Sequence, residues 1–208
     1  MTFAVIVGTV FLYSLTSPPL ARKLGLAQIN PQGVLIVGAH AWALNIAKTL
    51  HNQGFKVVMV DTNRRQVIRA RMEGIPAHHG NVLSKNVADK IPLEGIGKLL
   101  ALTPNDEANS LAALYFGNLL ERKELYQLVP EESGSSIREG GTPGHLRGRY
   151  LFSDNITYSY LARRFYFGAV IKATTLSEEF DYGEFQSQYG HSAIPLFLVP
   201  EDKSLHVI

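Results

Sequence analysis

The chain has 208 residues, of which 46% are hydrophobic and 18% charged, with a formal net charge of +2 and no cysteine. This length suits one full domain with smaller additions, and the composition is that of a folded protein that can include a membrane-seated part. The small net charge argues against a nucleic-acid partner held by electrostatics, and the lack of cysteine excludes disulfides, thiolate metal sites and cysteine catalysis.

The N-terminal segment is an apolar run. Residues 2–21 carry no charge, and two basic residues follow at once. Prolines 18 and 19 predict that a helix ends near Ser17, which leaves about 14–16 helical residues, or about 21–24 Å, against a hydrocarbon core of about 30 Å. We interpret residues 1–27 as the C-terminal part of a transmembrane helix with its juxtamembrane segment; a buried helix or strand is the alternative. The basic pair places the rest of the chain on the cytoplasmic side of the cell membrane.

The next segment has the pattern of a strand, a tight turn and a helix. Four apolar residues precede Gly38, and an apolar pattern with helical spacing follows it. A second apolar strand ends in Asp61, at about the spacing of the carboxylate that binds a ribose hydroxyl in dinucleotide-binding folds. The glycine pattern of such folds is degraded, because His40 and Ala43 occupy the second and third glycine positions. Residues 34–61 are predicted to form one βαβ unit with an acid where a ribose needs it.

Further strands and helices alternate along the chain. Strands are predicted at 98–103 and 125–129, a short strand with its turn at 75–81, and helices at 62–72, 87–90 and 107–120. This alternation predicts an α/β, Rossmann-like parallel sheet with helices on both faces. We therefore assign residues 32–130 to a nucleotide-binding domain.

The C-terminal part of the chain has a different character. Residues 131–149 are rich in Gly and Ser and are predicted to be a flexible linker. Residues 150–208 are predicted to form a small α+β region that packs on the nucleotide-binding domain or on a partner subunit. Its predicted elements are a helix in the second half of 150–167, a strand at 169–176, a short helix at 181–189 and a terminal hairpin within 194–208.

In combination these motifs resemble a known family. The segments 34–42, 58–63, 80–81 and 99–109 resemble a TrkA-N (RCK N-terminal) domain. The most similar variety lies at the cytoplasmic C-terminus of bacterial sodium:proton (cation:proton) antiporters, where a Gly-Ala-His/Asn-x-Trp turn is similar to residues 38–42 here. Residues 16–26 are similar to the end of the last membrane helix of such an antiporter.

The resemblance implies a regulatory domain, and not an enzyme, that binds NAD(H) or an adenine nucleotide. It also implies a homodimer that adjusts cation flux through the membrane transport domain of an antiporter, since transport needs many more membrane helices than this chain contains. An acid commonly follows the glycine after the third strand in this family, and Asn81 takes its place here. The candidate binding residues are Gly38, Ala39, His40, Ala41, Trp42, Asp61, Thr62, Asn63, Gly80, Asn81, Thr103 and Asn105.

Several of these residues have more than one interpretation. His40 can block a pyrophosphate, bond to it, or serve only as a turn residue. Trp42 is expected to pack in a core or interface rather than to stack on a base. Thr103 and Asn105 lie at the ligand-binding edge of a parallel sheet, but capping the next helix is their competing role. We assign no metal site, because adjacent histidines such as His78 and His79 on a strand point to opposite faces.

Two alternative functions are left open. The lost glycines and Asn81 favour a structural dimerisation domain whose nucleotide pocket has decayed. A soluble NAD-dependent oxidoreductase is disfavoured, because no tyrosine is followed four residues later by the lysine of a short-chain dehydrogenase pair.

Overall fold

In this computed structural model, residues 2–23, 31–131, 147–153, 155–190 and 192–208 are described. The chain forms two compact units, Met1–Pro31 and Gln32–Ile208. The predicted linker falls mostly on residues 132–146, outside the described ranges, as does the end of the predicted juxtamembrane segment.

The first unit contains helix α1 (Thr2–Lys23). Our prediction that this helix ends near Ser17 was wrong, because it continues through both prolines to Lys23. A proline removes its own N–H donor, but its fixed φ of about −65° is compatible with a helix, so the helical path is kept. Large apolar side chains along α1 are exposed, including Phe3 and Phe11 at 79% and 69%. Among the described helices, none has the combination of length and apolarity that a bilayer crossing requires.

The second unit is built on a six-stranded sheet whose strand order is β3-β2-β1-β4-β5-β6. All its neighbouring strands run parallel, and this order is that of a Rossmann-like fold, so the predicted fold is confirmed. The strands are β1 (Gly33–Val37), β2 (Val57–Asp61), β3 (Ala77–His79), β4 (Ile96–Ala101), β5 (Leu125–Gln127) and β6 (Arg149–Tyr150). Strand β6 was not predicted, because two residues are too few to show an apolar periodicity.

Helices cover both faces of the sheet. They are α2 (Ala41–Asn52), α3 (Arg64–Met72), α4 (Lys85–Ala88) and α5 (Asp106–Phe116). Helix α2 ends just before Gly54, which has φ +88°, whereas α5 is shorter than predicted because Gly117 caps it. The neighbouring residues Leu35 and Ile36 lie in two different buried clusters, since side chains alternate along a strand.

The C-terminal region lies on one face of this sheet. It contains α6 (Tyr158–Tyr166), α7 (Tyr182–Tyr189) and the antiparallel hairpin of β7 (Phe197–Leu198) and β8 (His206–Val207), which was predicted. The predicted strand at 169–176 was wrong: these residues form no strand. Their composition suits a strand, but pairing also needs a free neighbouring edge. Leu151, Leu161 and Leu205 are buried in the same cluster as α2, so this region packs on the α2 face.

Candidate functional site

The turn between β1 and α2 requires a glycine. Gly38 has φ +104°, a conformation that L side chains rarely adopt. A Cβ atom at this position would lie 3.3 Å from the carbonyl carbon and oxygen of Leu102. The Gly38 N–H donates to the carbonyl oxygen of Val60 at 2.8 Å. The turn is therefore held closely between the carboxyl ends of β2 and β4.

The carboxylate of Asp61 points toward this turn. Its Oδ2 accepts a hydrogen bond from the Ala39 N–H at 2.6 Å, and its Oδ1 accepts one from the Asn63 N–H at 2.7 Å. The Gly80 N–H donates to the main-chain oxygen of Asp61 at 2.9 Å. Hydrogen bonds to an ionised carboxylate are stronger than neutral ones. Asp61 thus places a negative charge in the crevice where the ends of β1, β2 and β3 meet.

His40 caps the first turn of α2. It is the N-cap residue, and its Nδ1 accepts from the Ala43 N–H at 3.4 Å. Its Nε2 lies 2.7 Å from the carbonyl oxygen of Leu102. Because Nδ1 acts as an acceptor, we assign the proton to Nε2, which then donates to Leu102. Burial lowers the pKa of His40, although the Leu102 carbonyl and the Asp61 charge oppose that shift, so the ring is neutral at pH 7.

Aromatic side chains surround the His40 ring. Its centroid lies 4.1 Å from that of Trp42 and 5.1 Å from that of Tyr158, with the latter pair edge to face. Trp42 also stacks on Phe165 at 6.1 Å, is only 4% exposed, and its Nε1 has no hydrogen-bond partner in the described part of the chain. Trp42 is therefore packed between α2 and α6. The role of Tyr158 was missed, because a contact so distant in sequence has no local signal.

A buried amide fixes the loop that follows β4. The Asn109 Oδ1 accepts from the Thr103 N–H at 3.1 Å and from its hydroxyl at 2.6 Å, and the Asn109 Nδ2 donates to the Thr103 carbonyl at 2.9 Å. Asn109 is fully buried. Asn105 caps α5, with its Oδ1 accepting from the Ala108 N–H at 2.6 Å. We did not predict the role of Asn109, although a polar residue one helical turn after the cap is a usable signal.

The remaining candidate residues have local roles in the fold. Asn63 caps α3, and the Asn81 Oδ1 accepts from the Leu83 N–H at 2.9 Å. Gly80 has φ +140°, and a Cβ there would meet the Val87 side chain at 2.6 Å. Thr62 is exposed, and Ala41 is the first residue of α2.

The candidate residues therefore fall into two groups. The first group meets at the carboxyl edge of β1, β2 and β4 and consists of Gly38, Ala39, His40, Asp61 and Thr103. The others lie around that edge, where Asn63 and Asn105 cap helices and Trp42 packs against α6. In the described ranges, no three metal-binding side chains converge.

This arrangement offers hydrogen-bonding groups rather than a reactive one. The carboxylate of Asp61 can accept from hydroxyl groups, and the first-turn N–H groups of Ala41 and Trp42 have no acceptor within α2. Both ring nitrogens of His40 are engaged, so the imidazole is not free to take a proton from a substrate.

Comparison with known proteins identifies the segment that carries these residues. The family model described as the TrkA-N domain matches residues 34–133. The Trk system potassium uptake protein TrkA of Haemophilus influenzae is 28% identical over 110 residues, which are 52% of this chain and 24% of that protein. The chain therefore spans only about a quarter of the length of this relative.

Three solved structures are also similar. The TrkA-N domain of the inner membrane protein ybaL from Escherichia coli is 18% identical with a TM-score of 0.41, covering 49% of this chain and 73% of that one. The NAD(P)-binding domain of an exopolyphosphatase-related protein from Archaeoglobus fulgidus is 16% identical with a TM-score of 0.47, covering 65% and 95%. The GsuK channel bound to NAD is 18% identical with a TM-score of 0.42, covering 62% and 24%. Residues 34–133 of this chain, just under half of its length, match the TrkA-N domain.

Proposed function

We propose that this chain is a nucleotide-binding regulatory domain of a monovalent-cation transport system, and specifically of a cation:proton antiporter. In this proposal the domain lies on the cytoplasmic side of the cell membrane and acts as a homodimer on the attached transport domain. The TrkA-N family of residues 34–133 and the relation to a potassium uptake protein support the link to cation transport. The antiporter as partner is supported by the resemblance of the turn at 38–42 and of residues 16–26.

The position of the Asp61 carboxylate carries the nucleotide-binding part of the proposal. It lies at the carboxyl end of β2, directed toward the turn at Gly38, which is where parallel α/β sheets bind the ribose of an adenine nucleotide. The ribose hydroxyl groups of NAD(H) or of an adenine nucleotide would donate to Asp61. The N–H groups of Ala41 and Trp42 are available to a phosphate oxygen.

Regulation would follow from a shift between two arrangements of the dimer. A nucleotide that binds one arrangement more tightly raises its population, and the transport domain responds to that population. The size of the response is limited by the difference in nucleotide affinity between the two arrangements.

Calorimetric titration of the full chain with NADH, NAD, ATP and AMP tests the proposal. The wild-type chain is expected to bind at least one of them, and Asp61→Asn is expected to weaken that binding by about 10- to 100-fold, since a hydrogen bond to a charged group contributes about 1.5–3 kcal/mol. Glu201→Gln, an exposed acid in the β7–β8 turn, is the matched control and should bind as the wild type does. No binding of any of the four at millimolar concentration would contradict nucleotide sensing.

A second candidate function is a scaffold for dimerisation without a ligand. The observation that favours it is the His40 imidazole, which takes up the Ala43 N–H and the Leu102 carbonyl in the space that a second glycine would leave to a pyrophosphate. Light scattering with and without nucleotide separates the two candidates. A scaffold without a ligand should keep the same oligomeric state and the same unfolding temperature whether or not any of the nucleotides is present.

A further inference from the structure

Residues 170–176 form a stretch of main chain that pairs with nothing else in the described ranges. None of their N–H or carbonyl groups bonds to another described group, whereas the flanking N–H groups of Ala169 and Ser177 donate to the carbonyl oxygens of Arg164 and Phe180. Four of these seven residues are valine, isoleucine or threonine, the types that favour strands. A row of unpaired main-chain groups in such residues is a template for pairing with another chain.

This stretch is seated on the domain but accessible along its length. Ile171 is partly buried and packs against the core cluster that contains α2. Its neighbour Val170 is 70% exposed, Leu176 is 40% exposed, and residues 172–175 between them are all exposed. Because side chains alternate along a strand, pairing would place Val170 and Leu176 on one face and Ile171 on the other, toward the core.

Charged residues are segregated on the two sides of this stretch. Residues 155–172 contain three basic residues and no acid, and residues 178–184 contain four acids and no basic residue. In chain order they are Arg163, Arg164, Lys172, Glu178, Glu179, Asp181 and Glu184. None of the seven takes part in an ion pair within the described ranges. Both charged segments are therefore left without an opposite charge in the part of the chain that the structure describes.

These features complement one another when two copies pair antiparallel about a two-fold axis at Ala173. Val170 then lies opposite the partner's Leu176, and Lys172 lies opposite the partner's Thr174, so apolar residues meet and no like charges are opposed. The basic segment of each copy runs beside the acidic segment of the other, because antiparallel pairing reverses the chain direction. Parallel pairing in register would instead place like charges opposite each other, which is destabilising.

We infer that residues 170–176 are a dimer contact of this chain, and that they pair as an antiparallel β-strand with the same residues of a second copy. The inference rests on the homodimer of the proposed function and names its surface. Such an interface uses the same patch on both copies, so it closes at two copies and leaves no free strand for a third. Main-chain hydrogen bonds supply the affinity, and side chains fix the alignment.

Disulfide trapping tests this inference, because the chain has no cysteine of its own. In Ala173→Cys the two thiols lie opposite each other at the axis, where antiparallel strands bring Cα atoms to about 4.5–5.5 Å, a separation that a disulfide spans. Mild oxidation is expected to convert most of this variant into a covalent dimer. Asn118→Cys, an exposed position after α5, is the matched control and should remain mostly monomeric on a denaturing gel.

A mixture of two further variants tests the alignment. Val170→Cys and Leu176→Cys chains are expected to cross-link with each other, whereas neither cross-links with itself, because six residues of strand, or about 20 Å, separate the two copies of each cysteine.

A double variant tests the main-chain pairing itself. Ala173→Pro/Thr174→Pro removes a donor of the strand pair in either hydrogen-bonding phase, so the dimer dissociation constant measured by sedimentation should rise about tenfold or more. The two lost N–H groups make no bond in the described ranges, so the circular dichroism spectrum should match that of the wild type.

The outcomes separate this inference from the proposed function. A dimer in which Ala173→Cys cross-links no faster than Asn118→Cys, or in which the double proline variant associates as the wild type does, would overturn the inference and leave the proposed dimer standing. Self-linking of Val170→Cys as fast as its linking to Leu176→Cys would overturn the antiparallel alignment. A wild-type chain that is monomeric in light scattering would remove the proposed dimer and this inference together, while the nucleotide titration would still test the binding site.

Discussion

The imidazole Nε2 of His40 lies 2.7 Å from the carbonyl oxygen of Leu102. A side chain from the β1–α2 turn thus reaches the end of β4, across the point where the strand order of the sheet reverses. In an open α/β sheet this crevice is the usual ligand site, and a glycine at position 40 would leave it accessible. In this chain the neutral imidazole of His40 bridges the crevice, and both of its ring nitrogens are hydrogen-bonded within the protein.

Removing the His40 side chain should lower stability and open the site. His40→Ala loses an N-cap bond and the bond to Leu102, and we expect the free energy of unfolding to fall by about 1–3 kcal/mol. His40→Asn keeps a capping oxygen and should lose less. Urea denaturation measures these differences, with His51→Ala, an exposed histidine at the end of α2, as the control. A loss for His51→Ala equal to that for His40→Ala would contradict the assigned bonds.

The stability of the chain should depend on pH through the same residue. Burial lowers the pKa of His40 below its unfolded value of about 6.5, so the unfolded chain binds a proton more readily than the folded one. Stability is therefore full above the unfolded pKa and is lost as the pH falls toward the folded pKa, with a slope of at most about 1.4 kcal/mol per pH unit for this group. Denaturation curves between pH 5.5 and 7.5 should show a shallower slope in His40→Asn than in the wild type.

A second histidine contributes in the same direction. Burial, together with the charge of Arg71, lowers the pKa of His78, but this side chain is partly exposed and its share is smaller. His78→Gln separates its contribution from that of His40. If the unfolding free energy depends on pH with the same slope in the wild type and in His40→Asn, then burial does not lower the pKa of His40.

Gly38 should be more sensitive to substitution than another glycine with positive φ. Gly38→Ala adds a Cβ only 3.3 Å from Leu102 main-chain atoms, in addition to a backbone strain of about 1–3 kcal/mol. Gly54→Ala has a similar strain at φ +88°, but no atom lies within 4 Å of its Cβ. Thermal unfolding of the two variants should therefore give the lower midpoint for Gly38→Ala. A larger loss in Gly54→Ala would show that the turn at Gly38 is not closely packed.

Asn109 should stabilise the loop at the end of β4. Asn109→Ala leaves the main-chain N–H and carbonyl of Thr103 without partners, and we expect a loss of about 2–4 kcal/mol in the free energy of unfolding. Asn118→Ala, an exposed asparagine after α5, is the control and should change stability by about 0.5 kcal/mol or less. Chemical denaturation of the two variants and the wild type measures these losses of unfolding free energy. A change as small as that of Asn118 would contradict the three hydrogen bonds assigned to Asn109.

Much of the fold could be predicted from local features of the chain. The central strands follow from apolar runs, and the caps at Asn63 and Asn105 follow from residue types that favour helix starts. The end of α2 at Gly54 follows from the positive φ that glycine adopts readily. Each of these signals acts within a few residues, so the sequence is sufficient to reveal it.

Other elements depend on which neighbours the fold supplies. Residues 169–176 have the composition of a strand but pair with no other strand, whereas Arg149 and Tyr150 form β6 by pairing with β5. The helix that continues through the prolines of α1 shows that a local breaker signal is not decisive.

The sequence by itself determined that a parallel α/β sheet would place Gly38 and Asp61 at one edge, because strand periodicity and spacing are local properties. Only the tertiary structure decided that Asp61 bonds to the Ala39 N–H, that His40 reaches Leu102, and that Tyr158 from the C-terminal region packs against the same ring. The physical reason is distance along the chain: a hydrogen bond or ring contact between remote residues depends on how whole elements pack, and no short pattern encodes that packing.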